Sequence, residues 1–286
     1  MPQAKEASGS GSTLNDLSGK DWVRHTISWF TLKVRRRTTE EIDHPGKYPD
    51  ELAERFIAFF TKKGQWVIDP FVGVGSTLVA CKNLERNGLG IDINRDFVRV
   101  ADHVLEQQTL FPTSIQKVIC GDALQVDEVL RTHFKNHPPQ FDLCMTSPPY
   151  WNMLGKQRGG SDSQHRNRKD KGLPLVYSTS IENDIGNISA YDGYLEALLN
   201  VFSGLKPFLA AGSHLVVVMQ NILDERGRFM PLAWDFSLRM GSMFRLRQEQ
   251  IWCQTDKMTG IWGYPTTYVS NVHHHYCLVF QNGVKA

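Results

Sequence analysis

Four short apolar runs, Gln65–Ile68, Gly88–Asn94, Lys117–Cys120 and Phe141–Met145, alternate with helix-patterned stretches between residues 66 and 146, and each run gives out into an acid, a glycine or a proline. Such an alternation builds strand–helix–strand units, whose consecutive strands must lie parallel with the helices crossing over the sheet faces. In a sheet of this kind ligands bind outside the carboxyl ends of the strands. The acidic and glycine- or proline-rich ends all fall on that one edge. The later segments extend the pattern: a helix over Tyr191–Leu209 closing at Ala210-Ala211-Gly212, a buried strand over His214–Met219, a helix over Met230–Met240, and strands over Phe244–Gln254 and His275–Phe280. The expectation is an α/β fold with a mostly parallel sheet of about seven strands and helices on both faces.

The turn after the first run reads Asp69-Pro70-Phe71-Val72-Gly73-Val74-Gly75-Ser76-Thr77. Gly73 and Gly75 remove side chains where a ligand must approach backbone, and Ser76 or Thr77 can cap the following helix, whose free amides favour an anion. A Gly-x-Gly without a third glycine leaves a nucleotide-type site and a plain tight turn both open. Asp92, at the end of the second run, stands where a carboxylate accepts ribose hydroxyls. Asp122, at the end of the third, can meet an adenine amino group or cap the next helix.

The fourth run enters Thr146-Ser147-Pro148-Pro149-Tyr150. With the glycine turn ahead of it, this motif resembles the amino-methyltransferases of DNA, which modify the exocyclic nitrogen of cytosine or adenine. The segment from His44-Pro45 through Tyr48 to Arg55 resembles the stretch that precedes the cofactor loop in that family; the order here, cofactor loop before catalytic motif, differs from its circularly permuted members. The resemblance implies a Rossmann-like fold with S-adenosylmethionine as cofactor, held by His44, Pro45, Tyr48, Asp69, Phe71, Gly73, Gly75, Ser76, Thr77, Asp92 and Asp122. It further implies that Ser147 and the Pro148 carbonyl accept the two hydrogens of the target amine, that Pro149 stiffens the loop, and that Tyr150 stacks on the base. An amine conjugated to an aromatic ring is a poor nucleophile, so fixed acceptors that localise its lone pair lower the barrier. Serine in the first motif position favours cytosine N4 over adenine N6. Each of the five cysteines, Cys81, Cys120, Cys144, Cys253 and Cys277, lacks a preceding proline, which argues against the ring-carbon methylases; their wide spacing fits neither a zinc finger nor a CxxC redox pair.

A base in duplex DNA must be flipped out to be reached. The stretch 151–190 carries Lys156, Arg158, Arg166, Arg168, Lys169 and Lys171, a local cationic surplus suited to phosphates, and Lys33 with Arg35–Arg37 is a second cluster. The net charge of +2 supplies little overall field, so attraction to DNA rests on such clusters. Residues 1–15 read as a disordered leader and 16–286 as one catalytic domain with the basic insertion. No apolar run approaches the roughly 20 residues of a membrane span, and the chain reads as cytoplasmic. The run His273-His274-His275 places neighbours on opposite strand faces, so no metal is expected. Adenine, RNA or a glutamine side chain as substrate, and a noncatalytic DNA-binding subunit, are the alternatives; the recognition sequence and oligomeric state are not legible.

Overall fold

A computed structural model describes residues 13–33, 48–106, 113–151, 184–224, 228–255 and 264–283. Its strands are β1 (Trp29–Phe30), β2 (Trp66–Asp69), β3 (Asn87–Asp92), β4 (Gln116–Cys120), β5 (Phe141–Thr146), β6 (Leu209–Met219), β7 (Ile222–Leu223), β8 (Phe229–Met230), β9 (Arg245–Cys253) and β10 (His274–Gln281). The helices are α1 (Gly19–His25), α2 (Asp50–Phe60), α3 (Ser76–Asn83), α4 (Arg95–Glu106), α5 (Val126–His133), α6 (Tyr191–Leu205) and α7 (Leu232–Met240).

The main sheet runs β1-β9-β10-β6-β5-β2-β3-β4. Its pairs are parallel except where β10 lies antiparallel between β6 and β9. The α/β expectation holds, with one strand more than the seven expected, because β1 is too short to show a period. It pairs with β9 (Trp29 opposite Ile251) and is held from the side by Arg55. That guanidinium lies 4.2 Å from the centre of the Phe30 ring and donates to the carbonyls of Arg24 and His25. Asn15 donates to the Phe59 carbonyl (2.6 Å) and is buried.

A second correction concerns α6. The helix stops at Leu205, because Pro207 cannot continue it; a single 3-10 turn follows, and Ala210-Ala211-Gly212, expected as a helix stop, opens β6 instead. The later part of that strand, Leu215–Met219, is buried throughout. It lies between β5 and β10 with helices on both faces, the setting in which a strand reads as a continuous apolar run.

One face of the sheet is covered by α5, α6 and α7, whose Leu130, Tyr194, Phe202 and Phe236 reach Leu215, Val217 and Phe280. The other is covered by α2, with Leu52, Phe56 and Ile57 against Val216 and Val218, and by α3 and α4. The chain steps outward from β2 through β3 to β4, then returns to the far side of β2 to form β5. The strand order reverses there, so a crevice opens at the carboxyl ends of β2 and β5, where Asp69 and Thr146 stand.

Candidate functional site

Asp69 closes β2 with its side chain buried under the crevice. One oxygen accepts from the Thr146 hydroxyl (2.6 Å) and the Phe71 amide (3.0 Å); the other accepts from the Thr77 hydroxyl and from Tyr48 (3.1 Å). Tyr48 and Thr77 are bonded to each other as well. Burial pushes the Asp69 carboxyl up, while Thr146 and Thr77 pull it down. One carboxylate thus ties together β2, β5, the start of α3 and the residue ahead of α2. Ser76 donates to the Tyr48 carbonyl (2.8 Å). Neither Ser76 nor Thr77 caps α3, contrary to expectation: the cap is Gly75, left-handed at φ 93°, and no side chain fills that role. The hydroxyls of Tyr48, Ser76 and Thr77 therefore build the floor of the crevice.

Above that floor, Asp92 ends β3 with one oxygen accepting from the Gly73 amide (2.9 Å) and the other from the Asn94 amide (2.8 Å). Burial raises its pKa to about 6, opposed by those two amides and helped by the charges of Asp69 and Asp184. Asp184 comes from the segment ahead of α6; it accepts from the Gly186 amide (2.9 Å) and is buried. The turn has little amide capacity left for a phosphate. Val72 donates to Ile91, Gly73 to Asp92, and Gly75 to Val72, so the anion site expected here shrinks to the first-turn amides of α3. The charges of Asp69 and Asp184 act on Asp92, and with no ion pair to any of the three among the described residues they favour a cationic ligand over a pyrophosphate. Asp122 accepts from the Leu124 amide (2.9 Å), which settles one of its two expected roles as the cap of a 3-10 turn. Phe71 is half-buried and packs on the core.

On the other side of the crevice lies the loop that leaves β5. Ser147 donates its hydroxyl hydrogen to the Val218 carbonyl (3.0 Å), and the Tyr150 hydroxyl points at the same oxygen (3.4 Å). With its hydrogen so committed, Ser147 Oγ faces a ligand as an acceptor. The Pro149 carbonyl accepts from Tyr194 (2.7 Å). No such bond reaches the Pro148 carbonyl among the described residues. Tyr150 is only 7% exposed, with His275 6.3 Å from it, and His275 is stacked on Trp252 at 5.0 Å. Trp151 donates to the Ser189 carbonyl (3.3 Å) and meets the Tyr191 ring edge-on at 5.1 Å.

The structure thus brings Tyr48, Asp69, Phe71, Gly73, Gly75, Ser76, Thr77, Asp92, Asp122 and Ser147–Tyr150 to one edge. Val218, Tyr194 and Asp184 are neighbours of the site that pattern reading missed, as was the bond from Thr146 to Asp69. A tyrosine inside an apolar helical stripe is the signal that existed for Tyr194, since a buried hydroxyl requires a partner. His44, Pro45, Lys156, Arg158, Arg166, Arg168, Lys169, Lys171 and Arg35–Arg37 lie outside the described residues. Lys33 is exposed. Among the described residues no group of three His, Cys, Asp or Glu side chains gathers as a metal requires, and no helix is long and apolar enough to cross a membrane. Cys81, Cys144 and Cys277 are buried with their thiols pushed up by burial, and no disulfide forms.

Comparison with known proteins shows what part of this chain is similar to. The chain is 42% identical over 96 residues to the Type II methyltransferase M.HpaI of Haemophilus parainfluenzae, covering 33% of this chain and 31% of that protein. Over 96 residues it is 35% identical to M.BglII of Bacillus subtilis (33% and 27%), and over 95 residues 42% identical to M2.DpnII of Streptococcus pneumoniae (33% and 34%). The matched stretch therefore spans about a third of the length of these relatives. Among solved structures, the chain is 10% identical to a magnesium protoporphyrin IX methyltransferase of Synechocystis, with a TM-score of 0.47 and coverage of 92% of this chain and 90% of that one. An rRNA methylase of Streptococcus thermophilus gives 9% identity and a TM-score of 0.46, over 83% and 98%. The family model described as DNA methylase, that of the N6/N4 methyltransferases, matches residues 5–103 and ends ahead of the Ser147 loop. The stretch matched by that model takes in the glycine turn and Asp92.

Proposed function

We propose that this chain is an S-adenosylmethionine-dependent DNA methyltransferase of the type II modification kind, transferring a methyl group to the exocyclic N4 of a cytosine flipped from duplex DNA. The observation that carries the chemical half of this reading is the Ser147 hydroxyl, whose hydrogen is given to the Val218 carbonyl beside the crevice. It presents an acceptor to the amine, and the Pro148 carbonyl supplies the second. Fixed acceptors of this sort gain strength as positive charge develops on the nitrogen, so they favour the transition state over the ground state. Two prolines with ring-fixed φ keep the loop from reorganising.

The cofactor half rests on the carboxylates. S-adenosylmethionine is cationic at its sulfonium and ammonium groups and supplies the methyl with a neutral thioether as leaving group. Asp92 takes the ribose hydroxyls with its remaining lone pairs, the charges of Asp69 and Asp184 suit the cationic end, and the first-turn amides of α3 suit the amino acid carboxylate. Phe71 lies beside the ligand, and Tyr48, Ser76 and Thr77 support it from the floor. His44 and Pro45 complete the methionine end by family resemblance, and the basic side chains from Lys156 to Lys171 hold DNA phosphates. Cytosine is favoured over adenine by Ser147 in the first position of the motif.

Purified protein incubated with S-adenosylmethionine and mixed-sequence duplex DNA, followed by digestion to nucleosides and mass spectrometry, tests the whole reading. N4-methylcytosine that disappears in Ser147→Ala is the expected result. N6-methyladenine moves the substrate to adenine, and no methylated nucleoside overturns the proposal.

A further inference from the structure

Proline fixes φ and leaves ψ free. In Ser147-Pro148-Pro149-Tyr150 the rings therefore lock two torsions, yet the ψ of Pro149, which turns its carbonyl and sets where Tyr150 goes, needs another restraint. The Tyr194 hydroxyl, on α6, meets this need by donating to the Pro149 carbonyl at 2.7 Å, and Tyr194 is wholly buried. The same helix end holds the residue beyond Tyr150: Trp151 donates to Ser189 just ahead of α6 and packs against Tyr191 in its first turn. From the sheet side, Ser147 and Tyr150 are both tied to Val218. The loop is thus gripped between β6 and α6, and of its two proline carbonyls Tyr194 occupies one and leaves the other to the ligand.

The geometry points to Tyr194 as a positioning residue for methyl transfer: its hydroxyl fixes the Pro149 carbonyl, which orients Tyr150 and leaves Pro148 as the acceptor for the amine. This inference rests on the methyltransferase reading above. Phenylalanine at this position keeps the ring in its buried site and deletes only the hydroxyl, so Tyr194→Phe isolates the bond. Two measurements on the full chain decide it. Amide exchange in the peptide spanning Tyr150 and Trp151 reports loop fixation without reference to activity, and steady-state methylation with separate kcat and KM reports the consequence for chemistry. The expected result is exchange about tenfold faster, kcat about five- to tenfold lower, in keeping with one neutral hydrogen bond, and affinity for S-adenosylmethionine within twofold of the unaltered chain. Unchanged exchange, or unchanged kcat, overturns the inference; so does a fall in cofactor affinity equal to the fall in kcat, which marks general damage. If the unaltered chain methylates no nucleic acid, the methyltransferase reading fails visibly in that control, and the exchange rates still decide whether Tyr194 fixes the loop.

Discussion

The two banks of the crevice are held by different kinds of bond. On the β2–β3–β4 bank the acids take amides close by in sequence: Asp69 from Phe71, Asp92 from Asn94, Asp122 from Leu124, each two residues on. On the β5–β6 bank the bonds that hold the loop reach far along the chain. Ser147 is 71 residues from Val218, and Pro149 is 45 from Tyr194. A bank of local turns takes its shape as soon as the strands pair, whereas the far-sourced loop is correct only when α6 and β6 have both docked. The first bank suits an invariant ligand held tightly, and the second suits chemistry that depends on a few tenths of an ångström.

The sharpest test of this division removes one acceptor from the far-sourced bank. Ser147→Ala is expected to lower kcat by about 10²–10³-fold, the range seen when a single preorganised transition-state hydrogen-bonding group is lost, with cofactor affinity and thermal midpoint nearly unchanged. A fall in cofactor affinity of similar size breaks the separation of the banks. Isothermal titration and steady-state kinetics on the same preparation read both.

Asp69 joins the banks, through Thr77 and Tyr48 on one side and Thr146 on the other. Its removal strands buried hydroxyls and an amide, so Asp69→Ala is expected to cost roughly 3 kcal/mol of folding stability, and Asp69→Asn, which keeps an acceptor, clearly less. Chemical denaturation measures both; equal losses break the account of Asp69 as a hydrogen-bond hub.

The difference between the banks also explains what was legible in the sequence. The glycine turn, Asp92 and the strand order announce themselves through local spacing, and the structure places them where that spacing predicts. Thr146 stood inside a visible motif, but its bond to Asp69 spans 77 residues, and no periodicity encodes a partner at such a distance. The assignment of capping to Ser76 and Thr77 failed for the same reason: hydroxyls at a helix start are ordinary caps unless distant Tyr48 and Asp69 claim them first. The two-residue β1 was invisible because its stabilisation comes from Arg55 and from β9, not from its own composition.

Steric tightness is a further mark of the cofactor bank. A methyl group on Gly90 falls within 2.5–2.9 Å of three atoms of Val72, which rides on the glycine turn. Gly90→Ala is therefore expected to destabilise the fold by about 1–3 kcal/mol and to weaken cofactor binding, and Val72→Ala added to it to recover part of both losses. Additive losses in the double variant remove the steric explanation.

Asp92 gives this bank a pH signature with a definite sign. Its folded pKa of about 6 exceeds the ordinary aspartate value of 3.8, so its neutral form stabilises the fold fully below about pH 4, and that contribution is lost as pH rises through 6. If Asp92 takes the ribose hydroxyls as proposed, they donate to its ionised form, so a bound cofactor draws the pKa down and affinity falls, by at most about tenfold per unit, as pH drops below 6. Asp92→Asn is expected to bind more weakly throughout and to lose the slope between pH 5 and 6. A slope that persists in the variant assigns the titration to another group.

The smallest expected effect lies behind the far-sourced bank, where two bonds join α6 to α7. Tyr191 donates to Asp235 at 2.8 Å, half-buried, and Arg239 pairs with Asp192 at 2.5 Å on the surface, with Asp192 76% exposed. If docking of α6 holds the catalytic loop, the bond nearer that loop matters more than the shorter one in solvent. Water and side-chain entropy reduce an exposed ion pair to about 0–0.5 kcal/mol, so Arg239→Ala is expected to leave both stability and kcat nearly unchanged. Tyr191→Phe loses a neutral-to-charged bond in a partly buried site that also adjoins Trp151, and is expected to cost about 1 kcal/mol and a measurable share of kcat. A larger effect from Arg239 than from Tyr191 locates the hold on the loop in the surface charge between α6 and α7 and not in the packing of their inner ends.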